Sequence, residues 1–289
     1  MKKLITVLVL LLVVTGCTSN PASTSISDAD TAIVTVNDKT VNKGQLYQMM
    51  KAQGIESTIV DLAKVTLVES LIEIDESIEA RAQELLESNK EYLGDAFDQI
   101  IELNFGSEEE FVELQLIPAA RQEALARIYF DENFDSIVAE NKPREVMILS
   151  VDTTTDGNAI IKGLEAGEDV TGLLEEYGSE NASSEPVIIA STSTVPAAML
   201  TFIQEAEIDD ISNEPIPDTS GDVYYVVKVL ETDAEVLKED YFSIYITNTT
   251  NMNAMYKYYF KKYNFNVYDQ KLYDAIRNNK ELGDFDPNN

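Results

Sequence analysis

Apolar and polar positions alternate through "AIVTVN", Ala32 to Asn37, with β-branched side chains, which is the period of a short strand. "DKT" turns it, and Val41 is expected to open a helical run, "VNKGQLYQMMKAQG". From Ile55 to Lys90 the chain is rich in Leu, Ile, Val, Ala and Glu with almost no breakers, which predicts helix. Ile55, Ile59 and Leu62 mark one apolar stripe; Val60, Ala63, Leu67, Leu71 and Ile74 mark another. Two stripes make a face wider than one packing partner needs, so this helix is either buried between neighbours or lines a groove for apolar peptide. In "NFGSEEEF", Ser107 with Glu110 three residues on reads as a capping box, so Glu108 to Glu110 complement a helix dipole rather than form a catalytic cluster. A further helix covers Ala119 to Tyr129, and Pro143 punctuates the chain after "DENFDSIVAENKP".

The pattern changes at Arg144. A strand, "VMILSV", leads into the helix "AIIKGLEAGEDVTGLLEEYG", then an irregular Ser/Thr/Pro-rich stretch from Ser179 to Pro196. The helix "AAMLTFIQEAE", the turn-rich "DDISNEPIPDTSGD" and the strand "VYYVVKVLE" follow. After them come "KEDYFSIYITN" and a tyrosine-rich helical tail. The fold class expected is α+β. Helical N- and C-terminal regions form a chaperone-like domain, with an α+β domain inserted between them. The expected boundaries are 1–16 signal peptide, 17–31 flexible tether, 32–142 helical domain, 143–232 inserted domain, and 233–289 a tail packing on the N-terminal domain.

The first thirty residues supply the tether. Lys2 and Lys3 precede an apolar run from Leu4 to Val14, too short to span a bilayer comfortably and fitting a secretory signal. The run ends in "VTGC", which resembles a bacterial lipobox, so Cys17 is the expected site of lipidation, after cleavage just before it. The other reading is an uncleaved anchor helix with an incidental cysteine. Cys17 is the chain's only cysteine, so the mature protein forms no internal disulfide. "TSNPASTSISDAD" then reads as a flexible tether.

Charge removes one class of partner. The chain holds 52 Asp and Glu against 21 Lys and Arg, a net charge of -31, and such a surface repels nucleic acid. With no histidine in the sequence, no Ser-His-Asp or Cys-His arrangement and no histidine metal site can form. "DTTTDGN" (Asp152 to Asn158) lacks the alternating oxygen ligands and terminal Glu of a calcium loop and reads as a turn ending in a helix cap. No metal and no cofactor is expected.

The order of these segments resembles a parvulin-type peptidyl-prolyl isomerase domain, through "VMILS", "GLEAGEDVTGLLEEYGSENAS" and "IDDISNEPIPDTSGDVYYVVKV". Upstream, "AIVTVNDKTVNKGQLYQMM" is similar to the opening of the PrsA and SurA families of extracytoplasmic folding factors. With the lipobox, nearly the whole mature chain resembles the PrsA-type foldase lipoproteins. Parvulins place one histidine on the first strand, where this chain has Met147, and another on the last, where Tyr225 is the best match. Glu180 takes the place of the Cys or Asp that commonly follows the first helix. "EPVII" (Glu185 to Ile189) replaces the family's glycine-rich turn. The proline-pocket methionine falls near Ala198 or Met199, and the pocket phenylalanine near Phe202.

Isomerisation requires lowering a barrier of about 20 kcal/mol about a partly double C–N bond. Met147 neither donates nor accepts a strong hydrogen bond, so the family's paired-histidine network cannot form. The resemblance therefore implies a membrane-anchored chaperone for secreted polypeptides, with prolyl isomerase activity lost or weak. Two alternatives stay open: an active isomerase with substituted pocket groups, and a non-foldase surface lipoprotein. The partners expected are unfolded or newly secreted chains, gripped in an apolar cleft between the N-terminal helices and the tail. The membrane is a partner through Cys17, the chain facing the extracytoplasmic side, and a homodimer is left open. Eight of fourteen tyrosines lie from Tyr241 onward, each with an apolar ring and a polar tip suited to adaptable binding.

Overall fold

A computed structural model describes residues 26–37, 39–180 and 182–288; the signal segment and Cys17 lie outside them. Along the chain run strands β1 (Ala32–Val36) and β2 (Lys39–Asn42), then helices α1 (Lys43–Gln53), α2 (Glu56–Leu71) and α3 (Glu76–Leu93). Helices α4 (Phe97–Phe105), α5 (Glu108–Phe111), α6 (Ile117–Glu132) and α7 (Phe134–Asn141) follow. Next come β3 (Arg144–Val151), α8 (Thr154–Glu165), α9 (Val170–Tyr177), β4 (Val187–Ile189), α10 (Ala197–Glu205), β5 (Ile216–Pro217) and β6 (Tyr224–Glu231). The chain closes with α11 (Lys238–Tyr245), α12 (Thr249–Lys262) and α13 (Gln270–Asn278). The class is α+β. Two compact units divide the chain: one takes residues up to Val65 together with Lys257–Asn289, the other Thr66–Tyr256.

In the first unit, Val41 is a strand residue rather than the first residue of a helix. It pairs with Val34 across an antiparallel hairpin, with Thr40 opposite Thr35. The helix waits for Asn42, whose Oδ1 accepts from the Gln45 N–H at 2.8 Å while Gln45 Oε1 accepts from the Asn42 N–H at 3.0 Å. That reciprocal pair satisfies two donors a helix start leaves open. No residue of α1 is buried. What holds α1 is Lys51, whose ammonium donates to the buried Asp269 carboxylate at 2.7 Å. Lys51 also lies over the Tyr47 ring, 4.6 Å from its centroid. The other Asp269 oxygen accepts from the Lys271 and Leu272 N–H groups and so caps α13. Around α12, the Phe260 ring stacks on Phe265 at 4.4 Å and meets Phe285 edge-on at 5.1 Å.

In the second unit the run of expected helix to Lys90 breaks in two. Asp75 caps α3, its Oδ1 accepting from the Ser77 and Ile78 N–H groups at 3.0 and 3.1 Å. The last carbonyls of α2 receive the Arg121 guanidinium: Nε reaches Ile72 O and an Nη reaches Glu69 O, each at 2.8 Å. Caps on both sides make the break cheap, and neither is legible in apolar periodicity. Of the two stripes, Val60 and Leu67 are buried while Leu62 and Ile74 are exposed. Ser107 does cap α5, its Oγ accepting from the Glu110 N–H at 3.1 Å. Residues Val112–Leu116 then form a π-turn that enters α6. Pro118 opens α6 without an N–H to donate, and the wider turn gives its ring room.

The four-stranded antiparallel sheet has the order β4-β3-β6-β5. The stretch expected to be irregular contributes β4, pairing Val187 with Val146 and Ile189 with Arg144. The long helix expected after β3 is two, broken at Gly167, whose φ of +77° favours glycine. Thr153 is the cap foreseen in "DTTTDGN", its Oγ1 accepting from the Asp156 N–H. Leu149, Val151 and Val226 face α8 and α9; Val146, Val227 and Val229 face α10. Outside the sheet, Phe130 gathers Phe134, Tyr241, Phe242 and Tyr245, with ring centroids 5.2–5.9 Å away.

Two outcomes follow for stability. Replacing Asp269 by Ala strands the Lys51 charge and uncaps α13, and is expected to cost about 3–5 kcal/mol in urea unfolding monitored on the first unit. A loss under about 1 kcal/mol would mean that the pair holds nothing together. Burial pushes the Tyr241 hydroxyl up to about 12, the Asn141 side chain pulling the other way, and pushes Tyr245 up as well. Unfolded tyrosine ionises near pH 10, so the folded chain keeps protons that the unfolded chain gives up. The stabilisation is whole below pH 10 and is lost as pH rises through 12, about 2–3 kcal/mol for Tyr241 alone. A urea midpoint that stays flat from pH 9 to pH 12 would refute this.

Candidate functional site

The segment most suited to chemistry is the sheet of the second unit, because it holds the positions Met147, Glu180, Met199, Phe202 and Tyr225. Strand alternation decides which of them meet. Met147 pairs with Lys228, and its side chain packs with Leu149 and Val151 against α8 and α9. Tyr225 pairs with Ser150 and packs on the opposite face with Ile148. Met199 and Phe202 come from α10 to that same face. The sheet thus gathers Met199, Phe202 and Tyr225 and puts Met147 on its far side. Side chains point alternately up and down a strand, so a histidine-sized group at 147 would not face Tyr225. Ala198, the other methionine candidate, is exposed.

The gathered group is packed rather than hollow. Met199 is 1% exposed and sits within the cluster of Val146, Ile203, Val227 and Val229, while Phe202 and Tyr225 are half-buried at its edge. Glu180 is exposed on the loop after α9. That loop is pinned to β3 by Ser179: its N–H donates to Ser150 O at 3.0 Å, and the two hydroxyls lie 2.7 Å apart. Ser150 and Ser179 are the polar residues near Tyr225 that the sequence reading missed. The available signal was a serine interrupting the apolar run "VMILSV". Hydroxyls in this position can hydrogen-bond a peptide group, but they mostly satisfy each other. "EPVII", expected as the replacement of a turn, supplies β4 through Val187–Ile189 instead. Among the described residues, no group of three or more His, Cys, Asp or Glu is placed to hold a metal ion.

Exposed apolar side chains lie on the helical part of the same unit. Tyr92 is 88% exposed and Leu103 82%, and Leu114 is exposed too. A cavity of about 460 Å³ is lined by Glu76, Glu79, Ala80, Gln83, Val112 and Ile117. The tail tyrosines divide: Tyr241, Tyr245, Tyr256 and Tyr259 are buried, whereas Tyr258, Tyr263 and Tyr268 are exposed. Half of them therefore serve packing. No helix among the described residues is long and apolar enough to cross a membrane.

Residues 1–18 match the family described as "Prokaryotic membrane lipoprotein lipid attachment site". The chain is a lipoprotein, held at a membrane by that site. A curated relative, "Foldase protein PrsA" of Halalkalibacterium halodurans, is 26% identical over 228 residues, 69% of this chain and 65% of the relative. The chain thus spans about two thirds, and slightly less, of that relative's length. The solved foldase protein PrsA from Streptococcus pneumoniae is 15% identical, with 84% of this chain and 98% of that one covered at a TM-score of 0.45. The peptidylprolyl isomerase PrsA from Bacillus cereus is 17% identical, with 89% and 99% covered at a TM-score of 0.42. The chain is similar to the PrsA-type foldase lipoproteins, the resemblance that its motif order carried.

Packing at Met199 has a measurable consequence. Met199→Ala is expected to destabilise the second unit by about 2–5 kcal/mol, as truncation of a filled core does. An unchanged urea midpoint would instead mark the position as an open pocket.

Proposed function

We propose that this lipoprotein is an extracytoplasmic folding factor that holds secreted polypeptides, with prolyl isomerase activity lost or weak. The observation that carries the reading is the exposure of large apolar side chains on several helices of a strongly acidic unit, Leu103 and Leu114 above all. Thr66–Tyr256 holds 42 Asp and Glu against nine Lys and Arg. Apolar side chains offer an unfolded chain somewhere to bury its own, and the surrounding carboxylates keep the loaded protein soluble. The same charge favours cationic clients. The similarity to a foldase supports the reading. In domain terms it takes 1–16 as signal, 17–31 as tether, 32–142 as chaperone-like, 143–232 as parvulin-like, and 233–289 as a tail belonging with the N-terminal domain. The site it assigns is degenerate: Met147, Glu180, Met199, Phe202 and Tyr225 are scaffold positions, and Cys17 is lipidated.

The packing around Met199 and the absence of histidine support the reading that isomerisation is lost or weak. The sequence holds no histidine, and Met147 packs on the face of the sheet opposite Met199, Phe202 and Tyr225. In a proline-tetrapeptide assay the chain is expected to leave the cis-to-trans rate at its uncatalysed value. A clear acceleration would restore the active-isomerase reading. In parallel, the chain should suppress aggregation of a denatured cationic client at near-stoichiometric ratio, and Leu103→Asp with Leu114→Asp should weaken that protection severalfold. Failure to protect at tenfold excess would remove the folding-factor reading and leave a surface lipoprotein of another kind.

A further inference from the structure

Charge is distributed unequally between the two units. Residues 26–65 and 257–289 together carry ten Lys and Arg against ten Asp and Glu. The whole excess of negative charge therefore belongs to Thr66–Tyr256. Within the neutral unit, residues 257–280 are locally basic, with six Lys and Arg against two Asp. A surface of anionic phospholipid repels the acidic unit, leaves the neutral one free to approach, and attracts its basic segment.

The neutral unit also carries the apolar element nearest the lipid anchor. All five residues of β1 are exposed, Val36 at 66%, and β2 exposes Val41, which pairs with Val34. An isolated two-stranded hairpin is marginal in water, and one with this composition loses free energy by leaving Val34, Val36 and Val41 in solvent. Eight residues separate Cys17 from Ile26. Even fully extended, that stretch reaches about 30 Å. The chain then joins the hairpin directly: the Lys43 N–H donates to Thr31 O at 3.0 Å and the Gly44 N–H to Ala29 O at 2.8 Å. Wherever the acyl chains are seated, Ile26 therefore stays within about 30 Å of Cys17, and the hairpin within reach of the bilayer surface.

We propose that the β1–β2 hairpin docks into the headgroup region of the anionic phospholipid bilayer to which Cys17 is anchored. The valines enter the interface between headgroups and acyl chains, as apolar faces of peripheral proteins do. The neutral charge of the surrounding unit removes the repulsion that would otherwise oppose it. The contact depends on the lipid attachment at Cys17 and not on client binding, so it survives if the folding role fails.

The test uses the full lipidated chain in phosphatidylglycerol vesicles. Its one native thiol is occupied by lipid, so Val36→Cys supplies a single labelling site for an environment-sensitive dye. The expected result is a blue-shifted emission that brominated phosphatidylglycerol quenches. A second label at Glu84→Cys, in the acidic unit, should keep its solvent-like emission. With the label at 36, Val34→Asp and Val41→Asp should abolish both the shift and the quenching, with far-UV circular dichroism unchanged because both valines are exposed. The proposal fails if the dye at 36 stays solvent-like in the anchored chain. It also fails if the shift disappears on diluting the protein in the membrane, which would identify a second copy as the occupant. A shift that needs added unfolded polypeptide would reassign the hairpin to client binding and overturn the proposal equally.

Discussion

The antiparallel register of β3 on β6 is the constraint on which the candidate site depends. Once Ser150 stands opposite Tyr225 and Met147 opposite Lys228, the two-residue period assigns every side chain of both strands to one face or the other. Leu149 and Val151 go to α8 and α9, Val146 and Val227 to α10. A one-residue slip of β3 would bring Met147 to the face of Tyr225, but it would also turn the fully buried Val146 and Leu149 to the wrong sides. The core therefore fixes the register, and the register fixes which site residues can meet. The placement of these side chains is set by packing.

The first unit rests on a different kind of contact. Its helix α1 has no buried residue and its hairpin none, so apolar burial cannot hold that end of the chain. One buried ion pair, Lys51 with Asp269, spans 218 positions and joins α1 to the cap of α13. Such a pair recovers its desolvation cost only with good geometry and extra hydrogen bonds. Here Tyr47 and two backbone N–H groups also donate to Asp269. Polar geometry thus holds α1, while the exposed valines of the hairpin take no part in the buried core around Phe260, Ile276 and Phe285.

The two units thus divide the chain's properties. Thr66–Tyr256 holds the sheet, the aromatic cluster around Phe130 and the negative charge, along with the exposed leucines of the proposed client surface. Residues 26–65 and 257–289 are electrically balanced and rich in aromatic side chains. A single net charge of -31 conceals this division, because opposite signs cancel in one unit and accumulate in the other.

The sequence alone determined whatever depends on neighbours along the chain. The strands holding "AIVTV" and "VMILSV", the caps at Ser107 and Thr153, and the lipid-attachment match over residues 1–18 all follow from local propensity or from short motifs. The missed features all needed a distant partner. Val41 is a strand residue because Val34 pairs with it, β4 exists because β3 offers an edge, and α2 ends where Arg121, 49 positions beyond Ile72, donates to its last carbonyls. The facing of Met147 away from Tyr225 belongs to the same class. Periodicity shows that side chains alternate, but which of the two faces receives a given residue is decided only when the strands pair and the helices cover them.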